Sequence, residues 1–250
     1  MKLILFLLFI PLCFSARAQD IAVLLKEADN FERQIKETEA LDKYKQVLET
    51  DHTNIKALVK AAELNASIGG RLVEKSSKKL YFETAAAYAK KALDADPNNA
   101  DANYVMGMTA GKMTDTESEN KKIVAFVKDA KIYNEKALSI NPKHAKATYS
   151  IGKWHYEMVN LSGIKKMAVK LFYGGLPNGD LDSAISYFEK CRVLDPYFAI
   201  NYLDLAKAYR DNHRPSQAIE ILNKLVKLPT RTGDDAAIKA EGAKMLNDIQ

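Results

Sequence analysis

Apolar residues recur along this chain with the spacing of an α-helix rather than with the strict alternation of a β-strand. One such set lies near the C-terminus, at i, i+3, i+4 and i+7: Tyr202, Leu205, Ala206 and Tyr209. This spacing gathers apolar side chains on one face of a helix. No segment combines strand alternation with the turn residues of a hairpin. The pattern therefore predicts an all-α protein.

Three segments of the chain repeat one another around a proline. Each begins with lysine and a small residue and ends in Asp-Pro or Asn-Pro: residues 91–97, 136–142 and 190–196. A tyrosine follows each segment: Tyr104, Tyr149 and Tyr202. The pattern resembles the tetratricopeptide repeat (TPR), a helix–turn–helix unit of about 34 residues with small residues where its helices meet. One unit cannot bury its apolar face alone, so such units must stack into a solenoid.

Five units and a terminal helix account for the chain after its first residues. The expected units run over about 21–54, 55–99, 100–144, 145–198 and 199–232, and a capping helix runs over 234–249. We therefore expect a single TPR-like α-solenoid domain over residues 19–250. Small residues such as Gly152 and Ala206 fall where the two helices of a unit would touch.

Three of these units are longer than the usual repeat. Units two and three each exceed it by 11 residues and unit four by 20. In units two and three the extra residues fit either long loops or longer helices. In unit four, residues 164, 167, 168, 171 and 172 form a helical apolar stripe. They predict an insert helix, which would form a wall or a lid if the protein carries a small ligand.

The first eighteen residues have the features of a signal peptide. Met1 and Lys2 precede an apolar run over residues 3–14, and residues 16–18 supply the small-x-small pattern of a cleavage site. We expect cleavage after Ala18 and export to the periplasm or extracellular space of a bacterium. Cys191 would then be the one remaining thiol, so no internal disulfide is expected.

Charge and motifs narrow the functional classes. The net charge of +5 over 250 residues is far below that of a dedicated nucleic-acid binder. The sequence has no nucleophile motif, phosphate loop or metal-ligand spacing. We therefore expect no enzyme activity, no cofactor and no metal site. Cys191 and His155 are interpreted as packed structural residues.

The concave face of a TPR solenoid is its usual binding surface, lined by roughly positions 2, 5, 9 and 12 of each first helix. In units three to five these positions combine aromatic and basic residues: Tyr104, Tyr149, Lys153, Tyr156, Lys207 and Arg210. We predict that these residues bind a protein or peptide partner. The alternative is a carrier of a small anionic or lipid ligand in the groove over units four and five.

The second half of the chain is also similar to a narrower family. The matching features are residues 152–157, the lysine-rich insert, residues 171–172 and 176–177, and then 228–229 and 234–235. Over about residues 85–250 they resemble the regulator of microtubule dynamics family. That resemblance implies a TPR-like fold with this long insert. Its eukaryotic members are linked with microtubules and organelle membranes, and the expected signal peptide argues against a microtubule role.

Overall fold

The computed structural model describes residues 10–160 and 179–249, and every regular element in these ranges is an α-helix. The helices are α1 Ile10–Arg33, α2 Glu37–Thr50, α3 Ile55–Gly70, α4 Lys75–Ala95, α5 Ala100–Met113, α6 Asn120–Ile140, α7 Ala145–Asn160, α8 Leu181–Leu194, α9 Ala199–Asp211, α10 Pro215–Leu225 and α11 Asp235–Ile249. The all-α solenoid predicted from the sequence is confirmed. None of these helices has the length and apolar content that a bilayer span requires.

The repeated Asp/Asn-Pro motif ends the second helix of a unit. At Asp96, Asn141 and Asp195 the backbone N–H still donates to the carbonyl four residues back, while the backbone turns to an extended conformation. Each side chain then accepts a hydrogen bond from the N–H two residues on, at 3.0–3.2 Å. The turn that this side-chain hydrogen bond forms competes with extension of the helix, and the proline that follows cannot take part in a helix at this position.

Consecutive helices pack as pairs, α1 with α2 through α9 with α10. The first helices α3, α5, α7 and α9 also contact one another in series, whereas each of the second helices α4, α6, α8 and α10 packs on the described helix before it and the one after it. In a curved stack the inner layer is the shorter one, so its helices come closest together. The first helices therefore form the concave face and the second helices the convex face.

Small residues allow close approach within the pairs. A Cβ atom on Gly152 of α7 would lie 2.8 Å from Cδ1 of Phe188 on α8, a separation that real Cβ contacts do not show. Phe188 itself is fully buried. Glycine at this position therefore lets the fourth pair close around an aromatic ring.

The extra length of units two and three is helical. Helices α4 and α6 each have 21 residues, compared with 14 in α2 and α8. Only residues 71–74 connect α3 to α4, and residues 114–119 connect α5 to α6. The predicted insert helix of unit four, with its stripe over 164–172, lies outside the described residues.

The two ends of the solenoid meet along one edge. Arg71, just after α3, contacts Asp234 at 2.9 Å and also pairs with Glu37 at the start of α2. Ser67 donates a hydrogen bond to Asp234 at 2.9 Å, and the N–H of Gly233 donates to Glu37 at 3.4 Å. We call Glu37, Arg71 and Asp234 the end-to-end tie. It joins the first two units to the segment that leads into α11.

Candidate functional site on the concave face

A cavity of about 390 Å³ opens in the concave face between α3, α5 and α7. Its charged and polar walls come from three consecutive units: Lys56, Lys60, Glu63, Asp101, Tyr104, His144 and Lys146. Ile55 and Val59 add an apolar strip on the α3 side. We call this cavity the central cavity.

Glu63 is the least exposed carboxylate among the ion pairs of the central cavity, with 16% of its side chain accessible. Burial alone would raise its pKa, but the ammonium groups of Lys146, at 2.5 Å, and Lys60, at 3.5 Å, hold that pKa at about 2. Burial and the charge of Glu63 together raise the pKa of Tyr104 well above its usual value. At neutral pH the cavity therefore presents an ionised carboxylate beside a neutral phenol.

The ion pairs continue from the cavity towards the N-terminus. Lys60 also binds Glu32 of α1 at 2.8 Å, and Lys56 binds Asp29 at 2.6 Å. Positive and negative groups thus alternate along the groove from unit one to unit four. The pair between Lys146 and Glu63 spans it from α7 to α3, so the curvature of the solenoid brings units two and four within reach of each other.

His144 holds the start of α7 in place. Its Nδ1 accepts a hydrogen bond from the N–H of Ala147 at 3.0 Å, so the ring nitrogen that carries the proton is Nε2. Nε2 in turn donates to Asp101 at 2.9 Å, and the ring lies against Tyr104 with centroids 4.9 Å apart. The imidazole thereby fixes the position of the α7 N-terminus relative to α5.

A second cluster lies over units four and five, around Asp204. This carboxylate is 1% exposed and accepts a hydrogen bond from Tyr149 at 2.7 Å. Lys153 lies 3.2 Å from one of its oxygens and Lys207 3.8 Å from the other. Among the described residues, Oδ1 of Asp204 is a buried oxygen without a hydrogen bond. Desolvation of a carboxylate to this extent requires the nearby ammonium groups.

The remaining predicted residues form a separate contact. Tyr156 donates a hydrogen bond to Asp211 at 2.7 Å, and Arg210 pairs with the same carboxylate at 2.8 Å. The six predicted residues therefore fall into three places. Tyr104 lines the central cavity, Tyr149, Lys153 and Lys207 meet at Asp204, and Tyr156 and Arg210 meet at Asp211.

The predicted cations are already matched by carboxylates of the chain. Lys153 also binds Glu157 at 3.1 Å, and Lys207 binds Glu241 of α11 at 2.8 Å. Together with Asp204 and Asp211, these residues give the groove four carboxylates against three cations. The groove over units four and five thus has no surplus of positive charge.

The six residues predicted from the sequence left out most of the charged members of these clusters, among them Lys56, Lys60, Glu63 and Asp204. Lys56 and Glu63 occupy positions 2 and 9 of the first helix of unit two, which are among the concave-face positions, so the same rule would have found them. Lys60 and Asp204 each follow directly on a concave-face position and lie outside the rule. Only the packing shows that they turn into the groove.

Cys191 and His155 are packed side chains, as the sequence indicated. No three His, Cys, Asp or Glu side chains in the described ranges are grouped as a metal ion would need. Burial raises the pKa of the Cys191 thiol to about 12, which suppresses the thiolate. Burial lowers the pKa of His155, whose ring stacks on Tyr187 with centroids 5.8 Å apart.

Comparison with known proteins identifies a matching family. A family model described as regulator of microtubule dynamics protein 1-3 matches residues 24–250. Regulator of microtubule dynamics protein 1 of Bos taurus is 28% identical over 191 residues, which are 76% of this chain and 59% of that protein. The protein of the same name from Pongo abelii is 27% identical over 72% of this chain and 57% of its own length. The chain thus spans less than three fifths of the length of these relatives.

Solved structures match the fold. A thermophilic TPR protein of Thermus thermophilus superposes with a TM-score of 0.67 at 14% identity, over 91% of this chain and 99% of that one. The pilF protein of Pseudomonas aeruginosa gives a TM-score of 0.54 at 13% identity, over 94% and 88% of the two chains. At these identities the likeness establishes a TPR solenoid and carries no further information on function.

Proposed function

This chain belongs to the regulator of microtubule dynamics family, and from that premise we propose that it is a non-enzymatic scaffold that binds a protein or peptide partner on its concave face. The observation that carries the proposal is the central cavity. It combines an apolar strip with charged groups that are partly open to solvent. Recognition of an extended peptide needs both features, pockets for side chains and polar groups for orientation.

The unused hydrogen-bond donors of two lysines in the central cavity indicate which peptide would fit there. Lys56 and Lys146 each have one carboxylate partner, and 46% and 39% of their side chains are exposed. An ammonium group has three donors, so two on each remain for a ligand. Beside them, Ile55 and Val59 offer an apolar surface. The segment that fits best carries an acidic side chain next to an apolar one.

A peptide selection tests this proposal. A random peptide library is selected on the folded chain, and enriched peptides are measured by calorimetry against a Lys56→Gln/Lys146→Gln variant. Lys227→Gln/Lys244→Gln changes the charge equally at exposed lysines of the terminal units and is the matched control. We expect acidic–apolar peptides whose affinity falls at least about tenfold in the cavity variant, the loss of one charge-assisted hydrogen bond. Equal affinity for both variants would exclude the central cavity.

The carrier of an anionic or lipid ligand over units four and five receives less support. Lys153 and Lys207 each already contact two carboxylates of the chain, whereas Lys56 and Lys146 each contact one, so the former leave fewer donors for an anion. We keep the scaffold as the proposed function.

We also propose that the chain is exported after cleavage at Ala18, and the intact mass of the secreted protein would show whether residues 1–18 are lost.

A further inference from the structure

The positive charge of this protein is concentrated on two neighbouring convex helices. Helices α4 and α6 together hold ten lysines and four acidic residues, a net charge of +6, whereas the whole chain has +5. The rest of the protein is therefore slightly acidic. Both helices pack on α5, so they are neighbours on the convex face.

Much of this charge is free to meet a ligand. Some lysines on these helices pair locally, as Lys90 does with Asp94 at 2.7 Å. In the two described ranges, no carboxylate lies within ion-pair distance of four others: Lys75, Lys121, Lys128 and Lys136. All four are exposed. Three of them lie on α6 at a spacing close to two helical turns, so they line one outward stripe.

Exposed apolar side chains lie among these lysines. Ile132, between Lys128 and Lys136 on α6, is 57% exposed, and Leu80 on α4 is 63% exposed. Val73, in the turn before α4, is 99% exposed. A surface that merely keeps a protein soluble does not need large apolar groups within a field of lysines. Lysines that surround apolar groups are typical of surfaces that bind the interface of an anionic membrane.

We propose that the outward faces of α4 and α6 dock on an anionic lipid surface, with the lysines at the headgroups and Leu80 and Ile132 inserted between them. We call this surface the lysine face. Docking through the convex side leaves the central cavity turned away from the membrane. The inference is therefore independent of the proposed function, and the two can fail separately.

Vesicle co-sedimentation tests the proposal. The chain should bind vesicles of equal parts phosphatidylcholine and phosphatidylglycerol and ignore vesicles of phosphatidylcholine alone. The variant Lys121→Gln/Lys128→Gln/Lys136→Gln should bind on the order of 100-fold more weakly, since each lysine near an anionic surface contributes roughly fivefold. Gln is a helix former comparable to Lys, so circular dichroism should be unchanged. Absence of binding by the native chain would overturn the proposal.

A matched control separates the lysine face from net charge. Lys26, Lys227 and Lys244 are exposed lysines outside α4 and α6, and no ion pair is formed by any of them in the described ranges. The triple Gln variant at these positions loses the same charge and should bind vesicles like the native chain. Equal weakening of both variants would show attraction by overall charge and overturn the docking surface.

A third comparison distinguishes a lipid surface from any other polyanion. Leu80→Ser/Ile132→Ser keeps every charge, and it should remove the part of vesicle binding that survives raised salt, because salt screens the lysines and leaves apolar insertion intact. If this variant binds as the native chain does, or if duplex DNA binds the native chain as tightly as the vesicles, the membrane assignment is wrong.

Discussion

The buried carboxylate of Asp204 makes the stability of units four and five depend on two lysines. Lys153→Met/Lys207→Met removes both ammonium groups and keeps most of the aliphatic side-chain volume. Asp204, 1% exposed, would keep only the hydrogen bond from Tyr149. Removal of the cationic partner of a buried carboxylate costs about 3–5 kcal/mol. The two lysines are 37% and 26% exposed, so water reaches them and we expect a smaller cost than this, about 2–3 kcal/mol.

Thermal unfolding followed by circular dichroism measures this loss. For a chain of this length about 1 kcal/mol lowers Tm by roughly 2–4 °C, so the double variant should unfold roughly 5–10 °C below the native chain. The matched control is Lys90→Met/Lys224→Met. It breaks two exposed i,i+4 pairs, with Asp94 and Glu220, and should change Tm by little more than about 1–2 °C.

A third substitution identifies the cause. Adding Asp204→Asn to the double variant removes the unpaired charge, and the amide oxygen can still accept the hydrogen bond from Tyr149. The triple variant should recover most of the lost stability, because an unpaired buried charge is the source of the penalty. The reasoning is refuted if the double variant melts with the native chain, or if Asp204→Asn lowers Tm further.

Three further predictions concern packing, pH and thiol chemistry. Gly152→Leu should destabilise the chain by about 1–3 kcal/mol, since its Cβ would lie 2.8 Å from Phe188, and an unchanged Tm would contradict the packing of α7 on α8. Glu63→Gln should lower the free energy of unfolding by about 3 kcal/mol near neutral pH, because folding lowers the pKa of Glu63 from 4.5 to about 2. The difference between the variant and the native chain should disappear as the pH falls from 4.5 to about 2, and urea unfolding at several pH values would measure it. In a Cys13→Ser chain, iodoacetamide should label Cys191 only after unfolding; rapid labelling of the native chain would contradict its burial.

The repeat pattern was sufficient to predict the fold because the residues that determine how the helices of a unit pack lie within the sequence of that unit. Gly152 in the sequence indicated a close helix contact, and the Asp-Pro and Asn-Pro motifs marked the helix ends at Asp96, Asn141 and Asp195. Such signals depend on neighbours in the chain. They did not distinguish loops from longer helices in units two and three, because a charged segment can form either one. Packing of its apolar residues against a neighbouring helix decides between them.

The candidate site was less predictable because it depends on curvature. Lys153 and Lys207 were identified as concave-face cations, but their partner Asp204 lies one residue beyond the expected stripe. The contact of Lys146 with Glu63 links side chains 83 positions apart in units that are not adjacent. No local pattern encodes how far a solenoid bends, and that bend decides which charges meet.

The end-to-end tie bears on how this protein can evolve. Open solenoids gain and lose whole repeats readily, because each unit contacts only its neighbours. Here Arg71 of the second unit must reach Asp234, next to the final helix, so an added or deleted pair would move these groups apart. We therefore expect these contacts between the two ends to keep the number of units constant. Variation in length within the family should occur as insertions inside units and as extensions at the termini, rather than as duplicated repeats.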